Sequence, residues 1–534
     1  MLNKQEKTEL RSTIFRHLDG VVTAPTAFAL HKKGVLNYLL ERNKVTLYKL
    51  TEKFKTNNGY LNIALRILCS QGWLTQDLDN KTGTITFEIN VNSNKAFNYV
   101  HLYEDAVNLL KYSAKFPEGS IGPDAFLALE RIFTKYEYDF GLNQVNENSI
   151  EEQILKHIEG TIAAPLIVML GMNGLFHKYF MEASFSAHEY HKNPESFKKI
   201  LDFFSHLGWF TKKKDTYRFT DSGLFYAKRA SAYGVTVSYL PTLIQLDELI
   251  FGDPKVLKTT SSEETEKHVH REMNVWGSGG AHSTYFKVID EIIKELFNKP
   301  IVEQPKGILD MGCGNGAFIQ HIFDVIEQQT LRGKCLDEHP LLLVGADYNQ
   351  AALKVTRANL IKADIWAKVV WGDIGRPDLL AKDLKEDYNI ELEDLLNVRT
   401  FLDHNRIWET PKKITKKVSK STGAYASEGE RISNNLVEDS LLEHFIKWKP
   451  YVEKFGLLII ELHTLNPKVT AGSLGKTAAT AYDATHGYSD QYIIEVDVFN
   501  RVAQEAGLHK DERYFTKFPD NELATVSVNL LKGN

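Results

Sequence analysis

The sequence predicts an α/β protein in which a Rossmann-like, doubly wound domain follows a mainly helical region with two winged-helix-like repeats. The first observation is a strand, a glycine-rich turn and a helix over residues 306–324, followed by two apolar strands that each end in an acid. The second is internal repetition, since residues 15–30 recur as residues 155–170. The predicted divisions are repeat 1 (residues 1–140), repeat 2 (141–240), a linker and active-site cover (241–300) and the doubly wound domain (301–534).

Length and composition limit the classes of protein to consider. A chain of 534 residues needs roughly two to four domains. Its net charge of −5 provides no global basic field that would attract nucleic acid or a membrane surface. The three cysteines form no Cys-x-x-Cys pair, the first residues are polar and charged, and no apolar run reaches about 18 residues. We therefore expect a cytoplasmic protein with no signal peptide and no membrane partner.

Each repeat begins with a long helix and ends with two short strands. Alternating apolar and polar residues predict strands at 84–89 in repeat 1 and at 217–220 in repeat 2. Several helices followed by a two-stranded wing are typical of winged-helix domains. The equivalent positions of the long helices are His17 and His157, Gly20 and Gly160, Pro25 and Pro165, and Gly34 and Gly174.

Winged helices often bind DNA, and the helix that reads DNA then carries an exposed basic face. The candidate helix of repeat 2, residues 194–207, has only Lys198 and Lys199. The candidate helix of repeat 1, residues 59–71, has only Arg66. We therefore expect no nucleic-acid partner.

Glycines and histidines mark the linker before the last domain. Gly277, Gly279 and Gly280 predict a break in any helix there. We predict a mobile cover over residues 276–285, followed by an amphipathic helix over residues 285–297. The histidines at 268, 270 and 282 have no standard metal-site spacing, so we interpret them as solvated or capping side chains.

Three strand ends in the last domain carry the residues of a nucleotide-type site. The first strand ends at Asp310, and the glycines of residues 312–316 then allow the backbone to approach a ligand. The following helix offers free N–H groups and a partial positive charge at its start. The second strand ends at Asp347 and the third at Asp373. A dinucleotide site uses the same turn with an acid on a ribose, so NAD remains an alternative ligand at this point.

The pattern Asp-x-Gly-Cys-Gly-x-Gly from residue 310, with the two later acids, resembles the class I S-adenosylmethionine-dependent methyltransferases. The resemblance implies a Rossmann-like doubly wound methyltransferase domain with S-adenosyl-L-methionine as cofactor. It also implies that Asp347 binds the ribose hydroxyls, that Asp373 meets the adenine amine and that Ile374 lies along the adenine ring. The other cofactor-binding residues implied are Asp310, Gly312, Gly314, Gly316 and, in the cover, Tyr285.

The front region in turn resembles the helical N-terminal domain of small-molecule O-methyltransferases, a unit that dimerises and roofs the active site. Two copies in one chain depart from that pattern. A tandem pair could make the dimer contact internally, so the sequence leaves the oligomeric state open.

The fourth predicted strand, residues 398–402, is followed by a dense polar cluster. Active groups collect at the carboxyl ends of the strands in open α/β sheets. Asp403 and His404 are therefore candidate catalytic residues, and the alternative is a polar loop that only closes the strand.

A second group of candidates follows the fifth predicted strand, residues 456–463. This strand delivers His463 to the same sheet edge, and the loop after Tyr482 carries His486 and Gln491. Two imidazoles with carboxylate or amide oxygens suit a divalent ion such as Fe, Mn or Zn, which would polarise an acidic carbonyl substrate. The alternative is that His486 acts as a general base without a metal.

These late motifs resemble the metal-dependent C-methyltransferase domains of polyketide synthase loading modules, of the apratoxin synthase first-methyltransferase type. That family methylates the carbon of a malonyl thioester on an acyl carrier protein, with a metal on the malonyl oxygens. The resemblance implies polyketide biosynthesis, an Fe or Mn ion held by His463, His486 and Gln491, and a carrier protein acting in trans. Catalysis would fall to His404, His486 and Asp403.

Two other functions remain open from the sequence. One is a metal-independent O-methyltransferase of a small hydroxylated metabolite, with His486 or His404 as base. The other is a non-enzymatic regulator that senses S-adenosylmethionine. Separately, five lysines fall within residues 411–420. They predict either a solvated loop or a docking surface for an acidic partner.

Overall fold

The computed structural model describes residues 2–116, 121–143, 145–258 and 266–533, with only the backbone described at residues 280–283. His282, one of the linker histidines, therefore lies outside the described side chains. Repeat 1 contains α1 (Lys4–Lys32), α2 (Val35–Arg42), β1 (Lys44–Thr46), α3 (Leu47–Phe54), α4 (Asn58–Ser70), β2 (Leu74–Asp79), β3 (Thr84–Ile89), α5 (Ser93–Tyr99), α6 (Glu104–Ser113) and α7 (Pro123–Tyr136).

Repeat 2 and the linker continue the helical region. Their elements are α8 (Ile150–Met172), α9 (Leu175–Met181), α10 (Pro194–His206), β4 (Phe210–Lys213), β5 (Thr216–Phe219), α11 (Asp221–Ala227), α12 (Gly234–Ser238), α13 (Leu240–Leu243), α14 (Leu246–Phe251) and α15 (Arg271–Phe297). Both predicted wings form, as a β1-β3-β2 sheet in repeat 1 and a β4-β5 hairpin in repeat 2. Within the described residues, α8 alone is long and apolar enough to cross a membrane, and 89% of its apolar window is buried inside the protein.

The two repeats meet where α1 and α8 cross. A Cβ added to Gly20 would lie 2.4 Å from His157 Cα, and one added to Gly160 would lie 2.4 Å from the carbonyl oxygen of His17. Each glycine thus allows its helix to touch the backbone of the other. The contact is reciprocal between equivalent positions, so the tandem repeats pair within one chain.

The helices that would read DNA are used for packing. Arg66 of α4 is buried and donates to Asp483 Oδ2 at 2.9 Å and to the Leu465 carbonyl at 2.6 Å, which fixes repeat 1 to the last domain. In α10, Lys198 and Lys199 form ion pairs with Asp215 and Glu130. These contacts favour the interpretation that the winged helices are structural.

The predicted helix break in the linker is wrong, because α15 runs without interruption for 27 residues. Gly277 instead permits a close helix contact, since a Cβ there would lie 2.5 Å from the Val235 nitrogen of α12. Tertiary packing outweighs the low helix propensity of glycine at this position. The mobility of the cover stays a prediction.

The last domain contains β6 (Gly307–Met311), α16 (Ala317–Gln329), β7 (Leu342–Asp347), α17 (Gln350–Lys362), β8 (Lys368–Trp371), α18 (Pro377–Tyr388), β9 (Leu395–Thr400), β10 (Tyr425–Ser427), β11 (Glu430–Ile432), α19 (Asn434–Val452), β12 (Leu457–Leu462), α20 (Pro467–Ala471), α21 (Ala479–Gly487), α22 (Val496–Glu505), β13 (His509–Lys510), β14 (Thr516–Phe518) and β15 (Val526–Lys532). His486 therefore lies in helix α21 and not in the predicted loop.

The central sheet has the order β13-β15-β12-β9-β6-β7-β8, with β14 paired to β15. The strands from β12 to β8 are parallel, and β15 is antiparallel to β12. One hydrophobic core contains residues of α15 and α16, and another contains residues of α18, α19 and α22. The strand order reverses at β6, which lies between β7 and β9, and such a switch point opens a ligand crevice at the carboxyl ends.

Candidate active site

The glycine turn after β6 lies at this crevice. Gly312, Gly314 and Gly316 have φ angles of +82°, +55° and +79°, a region that favours glycine. The Gly314 N–H donates to Asp347 Oδ2 at 3.0 Å, and the Thr356 hydroxyl donates to the Gly314 carbonyl at 2.8 Å. The turn is thereby held against the end of β7.

Two carboxyl groups face this turn with unused acceptors. Asp310 is 1% exposed, and neither of its oxygens has a hydrogen-bond partner among the described residues. Burial, with the nearby Asp347, raises the pKa of Asp310 to about 8. Burial also raises the pKa of Asp347. Asp347 accepts from the Gly314 and Asn349 N–H groups, whereas Asp310 has no donor, and an unpaired buried acid is costly. The pair therefore suits a ligand that brings an ammonium group and hydroxyl donors.

The third strand end closes the same side of the crevice. Asp373 is half-buried and accepts from the Gly375 N–H at 2.8 Å, while the buried Ile374 accepts from Trp448 Nε1 at 2.7 Å through its carbonyl. These bonds fix the loop that follows β8. They leave the adenine roles of Asp373 and Ile374 as predictions.

The linker contributes residues that the sequence analysis did not single out. Arg271, at the start of α15, forms an ion pair with Glu266, and both charges act on Asp347. Just before the linker, at the end of repeat 2, the ring of Tyr239 lies 5.9 Å from that of His486. Further along α15, Tyr285 packs its ring 5.0 Å from that of Phe518, and its cofactor contact stays a prediction. The end of repeat 2 and the linker therefore border both the cofactor crevice and the candidate catalytic side chains.

The strongest catalytic arrangement is a histidine paired with an acid from the adjacent strand. His404 lies on the 3₁₀ turn Asp403–Asn405 after β9, and its Nδ1 lies 2.5 Å from Oε1 of Glu461 on β12. Both side chains are buried. A carboxylate can only accept, so Nδ1–H donates, and in the neutral imidazole Nε2 then has a free lone pair. The sequence analysis missed Glu461, although a single acid within the apolar strand Leu457–Leu462 is a recognisable signal.

Asp403 is placed differently from its predicted catalytic role. It is fully buried and accepts from Arg399 Nη1 at 2.5 Å and His444 Nε2 at 2.8 Å. Burial alone would raise the pKa of Asp403, but the charge of Arg399 and the bond with His444 outweigh burial and hold that pKa below its ordinary range. Asp403 thus anchors the turn that presents His404, and its own catalytic role stays a prediction.

His463 is also placed away from its predicted role as a metal ligand. It is fully buried; Nδ1 lies 2.9 Å from the Ile494 carbonyl oxygen and Nε2 lies 2.7 Å from Ser527 Oγ. Nδ1–H must donate to the carbonyl, and the hydroxyl donates to Nε2. Both ring nitrogens are consumed inside the fold, so His463 has no free lone pair for a metal.

The two remaining predicted ligands keep free acceptors. His486 Nδ1 bonds the Tyr482 carbonyl at 2.9 Å, and burial lowers the pKa of His486 to about 3, so its Nε2 is unprotonated. Gln491 donates Nε2 to the Tyr239 hydroxyl at 3.3 Å, which leaves its amide oxygen. The ring of His486 lies 5.1 Å from that of His404. Across the described side chains, no three His, Cys, Asp or Glu residues are grouped to hold a metal.

Family comparisons cover most of the chain. Residues 266–529 match the AprA MT2-like domain, residues 159–253 the AprA winged helix domain and residues 10–76 the AprA N-terminal domain. The fold, the glycine turn with its acids and these matches define a class I S-adenosylmethionine-dependent methyltransferase, and the protein is an enzyme. It resembles AprA in all three regions, and its catalytic region matches the MT2-like description. No curated protein matches the chain at a significant level.

The solved structures to which the chain is similar are distant in sequence and in structure. The mitomycin 7-O-methyltransferase MmcR is 11% identical, and the alignment covers 72% of this chain and 98% of MmcR with a TM-score of 0.43. LepI in complex with SAM is 13% identical, with 80% and 98% covered and a TM-score of 0.40. The DszA carbon methyltransferase is 10% identical, with 78% and 95% covered and a TM-score of 0.29. At these values the likeness does not extend to activity.

Proposed function

We propose that this methyltransferase uses His404, supported by Glu461, to remove a proton from the substrate atom that receives the methyl group. The hydrogen bond between His404 Nδ1 and Glu461 Oε1 carries the proposal, because it leaves Nε2 as a buried base at the sheet edge that also holds Asp347. When bound, S-adenosylmethionine supplies an electrophilic methyl group on a sulfonium.

The chain's own groups then have separate tasks. His404 Nε2 takes the proton, and the carboxylate of Glu461 stabilises the imidazolium that forms. Proton removal would leave a substrate anion that could accept the methyl group supplied by bound S-adenosylmethionine, with the cofactor's sulfur as the leaving group. Asp310 and Asp347 hold the cofactor, and Arg399 with His444 fixes Asp403 and thereby the turn of His404. Orientation of this kind supplies a large part of such rate enhancements.

The substrate class follows from the resemblance of the late sequence motifs and not from the pocket. That resemblance implies C-methylation of a malonyl-type thioester on an acyl carrier protein, and the likeness to AprA in three regions supports a place in polyketide biosynthesis, although the matched methyltransferase model is MT2-like and not of the first-methyltransferase type. In the metal-assisted form, His486 Nε2 and the Gln491 amide oxygen would hold an Fe or Mn ion, which would polarise the malonyl carbonyl. His463 is not part of this proposal, because both its nitrogens are engaged.

One observation favours a second candidate, the metal-independent O-methylation of a small hydroxylated metabolite. The His404–Glu461 pair can act as a base without a metal, and both ring nitrogens of His463, one of the three predicted ligands, are engaged inside the fold. A phenol or alcohol needs only such a base to become a nucleophile.

Metal analysis with paired substrates tests these proposals. The purified protein would be assayed for bound metal, and methyl transfer to a malonyl thioester mimic and to a set of phenols would be measured with and without EDTA. Metal-assisted C-methylation predicts stoichiometric metal that is lost in His486→Ala, and thioester methylation that EDTA abolishes. Phenol methylation that is indifferent to EDTA would overturn it in favour of the O-methyltransferase. Retained turnover in His404→Ala would overturn the assignment of the base.

A further inference from the structure

The segment between the catalytic turn and α19 is basic, and most of its lysines form no ion pair with the described residues of the protein. Residues 411–420 carry Lys412, Lys413, Lys416, Lys417 and Lys420, all exposed. Within the described part of the chain, only Lys417 of these five forms an ion pair, with Glu505 at 2.8 Å. We call the other four the lysine patch.

Acids that could neutralise the patch lie next to it and are used otherwise. Asp439 of α19 accepts from the backbone N–H and the hydroxyl of Thr415 at 2.9 and 2.7 Å. Glu443 accepts from the backbone N–H of Lys412 at 2.7 Å. Glu438 accepts from the hydroxyl of Ser419 at 2.5 Å. These carboxylates bind the backbone and hydroxyls of the segment and fix its course, and none of the three forms an ion pair with a lysine of the patch.

The wing of repeat 1 supports the far end of the segment. Asn80, in the turn between β2 and β3, donates to the carbonyls of Ser419 and Ser421 at 3.0 Å each. The segment is therefore fastened on two sides, by α19 and by the wing. A solvated loop without a partner would not need this support, and a preorganised surface loses less entropy when it binds.

Exposed apolar side chains lie before and between the lysines in the sequence. Ile407, before the segment, and Ile414, within it, are each 63% exposed, and Val418 is 44% exposed. A surface that mixes fixed positive charge with apolar side chains fits an acidic protein with an apolar face better than a polyanion, which would need only the charge.

The position of the patch relates it to the catalytic turn. Lys412 follows His404 by eight residues, so the two are at most roughly 30 Å apart. Just before the segment, the ring of Trp408 lies 5.5 Å from that of Tyr492. The backbone N–H of Tyr492 donates to the His404 carbonyl. A partner on the patch could therefore extend a long, flexible acyl arm to the base.

We propose that the lysine patch with Ile407, Ile414 and Val418 docks an acidic carrier protein that brings the acyl thioester, an inference that rests on the proposed function for the identity of its cargo. The positive charges steer the acidic carrier to the enzyme, and the apolar side chains hold it. The protein's overall charge of −5 would otherwise repel such a partner.

Charge reversal with a matched control tests the proposal. One variant changes Lys412, Lys413, Lys416 and Lys420 to Glu. The control changes four exposed lysines elsewhere, Lys4, Lys7, Lys49 and Lys192, and so alters the net charge equally. The probe is a malonyl-loaded acidic carrier protein of bacterial fatty-acid synthesis, with binding measured by anisotropy and methylation measured beside it on a small malonyl thioester.

The patch variant is expected to bind the carrier at least tenfold more weakly at low salt, and added salt should narrow the difference because exposed charges are screened. The control should lose much less affinity for the carrier, and both variants should methylate the small thioester as the parent does. The docking surface would be overturned if the control lost as much carrier binding as the patch variant, or if the patch variant bound the carrier as the parent does. Anionic lipid vesicles serve as a second probe, and a patch variant that lost binding only to these vesicles would also overturn it. If the parent protein methylates neither thioester, the proposed function fails, while carrier binding still decides the docking surface.

Discussion

Glu461→Gln removes the charge behind the proposed base while keeping the shape of the side chain. The bond that it weakens, between Glu461 Oε1 and His404 Nδ1, is 2.5 Å long and buried. A hydrogen bond to a charged group is worth about 1.5–3 kcal/mol. If this energy is lost in the transition state, where the imidazolium forms, kcat should fall about 10- to 150-fold.

Steady-state methyl transfer at saturating cofactor measures this effect. Calorimetry should show unchanged affinity for S-adenosylmethionine, because Glu461 belongs to β12 and the cofactor acids to β6 and β7. Asp378→Asn, which breaks an ion pair with Arg376 on the surface, serves as the control and should keep full activity. A Glu461→Gln protein that folds, binds cofactor and turns over at the parent rate would refute the role of the pair.

Three further predictions concern the cofactor and the fold. Asp347→Ala should weaken S-adenosylmethionine binding at least tenfold by calorimetry, since charge-assisted bonds of about 1.5–3 kcal/mol are lost, and an unchanged Kd would remove Asp347 from the cofactor site. The raised pKa of Asp310 means that the folded protein holds this proton more tightly than the unfolded chain, so the free protein should lose stability as pH rises from the ordinary value of 3.8 to about 8. Asp310→Asn should make the thermal unfolding midpoint depend less on pH over this range. An identical pH dependence in the variant and the parent would contradict the assignment of the raised pKa to Asp310. Gly160→Ala should lower the free energy of unfolding by about 1–3 kcal/mol, because its Cβ would overlap the His17 carbonyl. Gly122→Ala serves as the control and should be tolerated, because a Cβ there would meet no atom. Equal unfolding midpoints for the two variants would argue against the α1–α8 crossing.

Much of the fold could be predicted because the patterns are local. The glycine turn, the acids at the strand ends and the wing strand Thr84–Ile89 all follow from spacing and periodicity. The uninterrupted course of α15 through Gly277 could not be predicted, because it depends on packing against α12, which is a separate element of the chain.

The candidate site was predictable only in part, because its chemistry depends on which way side chains point. His463 and Glu461 lie two residues apart at the same strand end, yet His463 bonds to Ser527 on β15, which is far along the chain. Asp403 and His404 are adjacent, yet one faces Arg399 and the other Glu461. Sequence order places such residues at an edge, and only the surrounding strands decide which of them can meet a substrate.

Hydrogen exchange at the substrate carbon tests the central claim most directly. A malonyl thioester mimic would be incubated in D₂O with the protein and S-adenosylhomocysteine, so that proton removal can occur without methyl transfer, and loss of the α-carbon hydrogens would be followed by NMR against a protein-free blank. The account predicts exchange well above the blank with the parent protein and exchange at the blank rate with His404→Ala. Exchange in His404→Ala as fast as in the parent would contradict it.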